Sequence, residues 1–180
     1  VRKCQDPYMV TLASALARSA ASYSMRAISA FQDKQLSDFY LFAGVALEHA
    51  MKAKLAEDNP VFLSEDKNFG SAVALWRTRE DVSTLPPETR TISGRIAFQR
   101  LVDLDPAFST YKNFVNEVLH MRNEEAHVGS NRPGNPERTL VAFLKCMHAL
   151  FDLSSQEGFW REHDDWWSRS QHQWHGTGRY

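Results

Sequence analysis

The sequence predicts an all-α protein, a helical bundle of about six to seven helices. Apolar residues recur at three- and four-residue steps in one segment after another, and Asp, Asn, Ser or Thr stands where a helix cap belongs before most of them. No useful stretch alternates apolar and polar residues with the period of two that a half-buried strand requires. With 180 residues, 43% of them hydrophobic, the chain holds enough apolar material for one core and is too apolar for wholesale disorder.

Asp6-Pro7 supplies a cap and a proline at N1, and Tyr8, Leu12, Ala15, Leu16, Ser19, Tyr23, Ala27 and Phe31 follow at helical spacing, which predicts a long helix over about 7 to 31. Ser37 or Asp38 caps a second helix that carries Leu41, Phe42, Val45, Leu47, Met51 and Leu55 and stops at Asn59-Pro60. Residues 69 to 78 support a short third helix with Leu75 and Trp76 inward. Pro86-Pro87 lies in a polar surface connection over 79 to 91. The fourth helix starts near Thr91 or Ser93 and ends at Asp105-Pro106. A fifth, over about 107 to 127, places Tyr111, Phe114, Val115, Val118 and Leu119 on one stripe. After a loop at 129 to 136, Asn135-Pro136 opens a sixth helix with Leu140, Phe143, Leu144, Met147, Leu150 and Phe151 on its core face.

Residues 1–153 thus read as the bundle. Residues 154–180 change character: four of the five tryptophans (Trp160, Trp166, Trp167, Trp174) and the histidines 163, 172 and 175 crowd into polar sequence, as a terminal helix or tail that packs on the bundle or on a partner. The start at Val1 in place of Met leads to the expectation of a trimmed chain or a piece of a longer one.

Composition narrows the function classes. A net charge of -1 provides no general attraction to polyanions, so any nucleic-acid contact has to come from a local cluster. Cys4 and Cys146 offer neither a disulfide framework nor a zinc site, which points to a reducing compartment. No apolar run is long enough to span a membrane and the N-terminal residues lack the compact apolar run of a signal peptide, so a cytoplasmic protein without membrane contact is expected. Gly-rich phosphate loops, His-Glu-x-x-His and Gly-x-Ser-x-Gly are all missing, which removes nucleotide hydrolase, zinc protease and serine hydrolase readings.

The polar run Arg122-Asn123-Glu124-Glu125-Ala126-His127 closes the fifth helix just before the glycine-containing loop, where a scaffold presents groups to a substrate. On the residues alone two readings stand. His127 complements the helix dipole while Arg122 pairs with Glu125 or Glu117, or the two carry chemistry. At about 100° per residue, positions 122 and 127 point about 140° apart. They converge only if the helix unwinds at Ala126 to Gly129, or if each meets its counterpart across a two-fold axis. An imidazole that moves a proton and a guanidinium that balances phosphorane charge suit phosphodiester cleavage through a ribose 2′-OH.

Arg122, Asn123 and His127 match the signature of the HEPN family of helical-bundle proteins: an Arg, often a polar residue after it, and a His four to six residues on. Leu41 to Leu63, an apolar helix with a Glu and then a Lys four residues later ending in Asn-Pro, resembles that family's second helix, and Thr91 to Leu101 resembles its next helix start. The tryptophan-rich tail has no counterpart in the family, and Ala46 and His49 interrupt its usual Leu-Glu-Leu run.

The resemblance implies a metal-independent endoribonuclease with no cofactor, acting on RNA as a homodimer, of the kind found as toxins or defence effectors paired with an antitoxin or a nucleotidyltransferase. Arg122, Asn123 and His127 would be its catalytic residues. Some relatives are inactive dimerisation or partner-binding modules, which is the alternative. Around the motif, Glu48 either orients Arg122 or forms an ordinary i,i+4 pair with Lys52, and His120 and Arg132 are candidates for RNA contact. Metal readings are weaker: Glu124-x-x-His127 is only half of one helix pair's contribution to a di-iron site, and His172-x-x-His175 with Asp164-Asp165 lacks a full ligand set.

Overall fold

Alanines decide how the first two helices meet. The computed structural model describes residues 10–65, 69–78, 81–128 and 135–152, with the side chains of all of these except His127, Val128 and Asp152. Helix α1 (Leu12–Gln32) buries Ala13, Ala17, Ala20, Ala21 and Ala27, and α2 (Leu36–Asp58) answers with Ala43, Ala46, Ala50 and Ala53. Small side chains let two helix axes approach closely, so the larger Leu16, Tyr23 and Phe31 flank the seam half-buried rather than forming it.

Two helix starts differ from the sequence expectation. Thr11 caps α1, its Oγ1 accepting a hydrogen bond from Ser14 N at 3.2 Å, and its extended backbone (ψ 156°) keeps the helix from reaching back to Pro7. Helix α2 begins at Leu36, ahead of Ser37 and Asp38, and has no side-chain cap. The tight reversal after α1 sets that start: Lys34 takes a left-handed φ of 60°, and Gln35 N donates to Ala30 O at 2.8 Å. The end of α2 falls where Asn59-Pro60 predicts, and Asn59 Oδ1 accepts from Val61 N to open a 3-10 segment, Pro60–Leu63.

Helix α3 (Phe69–Arg77) packs on that 3-10 segment and buries Ser71 and Leu75. Trp76, expected inward, is 59% exposed. Successive helical residues point about 100° apart, so the face centred on Ser71 and Leu75 turns Trp76 outward. Helix α4 (Gly94–Leu104) starts beside α2, and Ile92 N donates to Leu63 O just before it. The fifth segment is not helical in one piece: a 3-10 stretch, Pro106–Tyr111, precedes α5 (Lys112–Val128). Asp105 Oδ1 accepts from Ala107 N, and Phe108 packs between Phe98 and Tyr111, which fixes the tighter winding. Helix α6 (Pro136–Asp152) begins as predicted, with Asn135 Oδ1 accepting from Arg138 N at 2.8 Å, and buries Leu140, Phe143, Met147, Leu150 and Phe151.

The order of contacts fixes the directions. Arg100 of α4 donates to the carbonyls of Phe62 and Ser64, beyond the C-terminal end of α2, so α5 starts at that end and runs back along α2. Helix α6 reverses again: Thr139 and Arg138 meet Glu117, and Lys145 lies 4.8 Å from the centre of the Phe114 ring. Helix α2 is the central element, packed on α1, α4, α5 and α6. Among the described residues the only β-type pairing is one isolated bridge, Ser64 to Thr91, and no helix is long and apolar enough to cross a membrane.

Candidate functional site

One face of α2 carries Tyr40, Gly44, Glu48 and Lys52 at four-residue spacing. Gly44 makes room for α5: a Cβ there would run into Cβ and Cγ of Arg122. Because Arg122 lies against bare backbone, its guanidinium extends to Glu48, whose Oε2 accepts from Arg122 Nη2 at 2.7 Å. The other carboxylate oxygen accepts from Lys52 Nζ, also at 2.7 Å, and Lys52 donates to Thr91 Oγ1 at 3.1 Å. Gly94, at the start of α4, closes the far side, with room for a Cβ only at 3.2 to 3.3 Å from Glu48 and Leu119. Helices α2, α5 and the start of α4 thus converge on one carboxylate, and Lys52 ties it to Thr91.

Charge and burial explain why the carboxylate stays ionised. Burial is the largest single influence on Glu48 and opposes ionisation, but the Lys52 hydrogen bond and the Lys52 and Arg122 charges together outweigh it and hold its pKa below 4.5. Lys52 is only 7% exposed, so its ammonium depends on Glu48 for a counter-charge. Two cations share one anion, and the cluster keeps a net positive charge on its Arg122 side. Arg122 Nε and Tyr40 Oη are buried without a hydrogen-bond partner among the described residues. His49, next to Glu48, faces α1, with Nδ1 2.8 Å from Ser19 Oγ; burial first, and Lys52 second, push its pKa below 6.5 and favour the neutral ring.

The structure therefore joins Arg122 to Glu48, and Glu48 at the same time forms its i,i+4 pair with Lys52, so the carboxylate makes both contacts at once. Glu117 pairs instead with Arg138, at 3.0 Å. Asn123 and His120 are exposed, and with Asn113 and Asn116 they form a polar stripe along α5. Position 127 falls on the same stripe by helical phase, within α5, which stays helical to Val128. The unwinding at Ala126 that would bring positions 122 and 127 together within one chain does not occur. Arg132 and the residues of the tryptophan-rich tail lie outside the described residues. Sequence reasoning missed Gly44, Gly94 and Thr91; the signal available for Gly44 was its place one turn before Glu48 on the face that ends at Lys52. In the comparisons with known proteins, no family model, curated protein or solved structure matches the chain.

Proposed function

We propose that the chain is a metal-independent endoribonuclease of HEPN type, of the toxin or defence class, that cleaves RNA at a composite site built by two copies. The observation that carries this reading is Arg122 itself: a guanidinium fixed by a half-buried carboxylate at one nitrogen, 28% exposed, and next in sequence to an exposed Asn on the outer stripe of α5. Such an arginine is held ready for a phosphate oxygen with little ordering left to do.

In the reaction, His127 accepts the proton of a ribose 2′-OH as the oxygen attacks the adjacent phosphorus. The bond from phosphorus to the 5′-oxygen breaks, that oxygen takes up the proton that the His127 imidazolium gives back, and a 2′,3′-cyclic phosphate and a 5′-OH result. Arg122 balances the charge that grows on the phosphoryl oxygens, Asn123 orients substrate or imidazole, and His120 contacts RNA. Because positions 122 and 127 diverge on a continuous helix, the Arg of one copy works with the His of the other.

The inactive alternative draws support from the same ion pair, since an arginine engaged with Glu48 is also what a purely structural bridge contains. Cleavage of an RNA oligonucleotide in EDTA separates the two. The proposal expects cyclic-phosphate ends, no cleavage of the all-deoxy analogue, and a loss of roughly 100-fold or more in His127→Ala. A wild-type protein that leaves RNA intact supports the binding module instead.

A further inference from the structure

Helix α3 is inside out. Its inward face consists of Ser71, Leu75 and, one residue past its end, Thr78, two of them polar, whereas Phe69, Val73 and Trp76 share the opposite face by helical phase. Phe69 is 82% and Trp76 59% exposed, the two most exposed large hydrophobic side chains among the described residues. The buried hydroxyls are satisfied locally: Thr78 Oγ1 donates to Leu75 O at 2.7 Å, and Ser71 Oγ accepts from Arg90 N. The polar side is therefore seated as built, and the aromatic side is the one left open among the described residues. Two aromatic rings one helical repeat apart on a nine-residue helix are the kind of anchor pair that an apolar segment covers.

We propose that residues 153–180 of the same chain dock on this face, the tail's tryptophans packing against Phe69 and Trp76. Position and composition both favour that occupant. Helix α6 runs antiparallel to α5 and so delivers Asp152 to the end of the bundle where α2 finishes and where the 3-10 segment Pro60–Leu63 carries α3. The tail that follows has ample reach and holds four of the chain's five tryptophans. Its Asp164-Asp165 pair, directly before Trp166-Trp167, complements Arg77, which is exposed in the last turn of α3. A tethered segment also has a far higher local concentration than any second copy.

The test uses the full chain with p-benzoylphenylalanine in place of Phe69, a position exposed enough that the substitution leaves the core alone. After irradiation of dilute protein, mass spectrometry of the digest should find the adduct within one chain, on peptides from residues 153–180. Hydrogen exchange gives an independent measure: residues 69–77 should exchange at least tenfold faster when Trp160, Trp166, Trp167 and Trp174 are all changed to Ser. Adducts between two chains, adducts to residues 1–9, or no adduct to the tail would each overturn the proposal, as would unchanged exchange in the serine variant.

Discussion

Gly44 and Glu48 show how two side chains far apart in sequence come to depend on each other. With no Cβ at 44, the stem of Arg122 lies on the α2 backbone, and the atoms in the way of an added methyl are Cβ and Cγ, which cannot swing aside as a flexible tip can. Gly44→Ala should therefore destabilise the protein by about 2 kcal/mol, read from urea unfolding, despite alanine's better helix propensity. Glu48→Gln puts an amide NH2 against one of two cations and should remove about 2 kcal/mol near neutral pH. The sign of its pH dependence follows from the depressed carboxyl. Stability contributed by ionised Glu48 is present above about pH 4.5 and is lost as pH falls through the lower folded value. The gap between wild type and Glu48→Gln should accordingly narrow below pH 4.5. His49, also depressed, adds a loss of the same sign that begins below pH 6.5, and the loss is larger in Glu48→Gln because the Glu48 charge that partly offsets the depression is gone. Of this site the i,i+4 pair Glu48 to Lys52 was legible in the sequence, because it is local. The ion pair from Glu48 to Arg122 spans 74 residues, and only the packing of α5 on α2 selects it.

Apart from the Thr11 cap of α1, helix ends were legible in most places where a side chain supplies the cap within a few residues. Asn135 before Pro136 is such a case, and Asn135→Ala should lower stability by about 1 kcal/mol, a drop of several degrees in the melting temperature. The start of α2 was not legible in this way, because a left-handed Lys34 and a backbone hydrogen bond set it, with no side-chain signature. The face of α1 was legible in part: Leu12 and Ala27 of the predicted stripe are buried, and Leu16, Tyr23 and Phe31 pack half-buried against the core. What periodicity weighted by size passes over is the set of alanines beside them, which the close approach to α2 rewards. Trp76 on α3 was misjudged, since a large apolar side chain next to a buried Leu is turned about 100° away from it.

Across the described residues, the order of the six α-helices followed from periodicity, caps and prolines, while their mutual packing depended on small residues whose role appears only when two helices touch. The interior they enclose holds Cys146, which is fully buried and whose thiol burial pushes up to about 12. In a Cys4→Ser variant, a thiol reagent at pH 8 should react at the rate of global unfolding and at once in denaturant. The continuity of α5 has the larger consequence for the proposed function, because one continuous helix sends positions 122 and 127 in different directions, so that the proposed reaction has to draw its Arg and its His from two copies.

Complementation tests that claim most directly. Arg122→Met keeps the packing on Gly44 but has no guanidinium, and His127→Ala has no imidazole, so each homodimer should be inactive. In a mixed dimer, one of the two composite sites would contain an intact Arg122 from one copy and an intact His127 from the other. Mixing and reannealing the two inactive proteins should therefore restore RNA cleavage, to about a quarter of the wild-type rate when half of the dimers are mixed and each has one working site. A mixture whose mass spectrum shows the mixed dimer but which cleaves no faster than its parents would contradict the account.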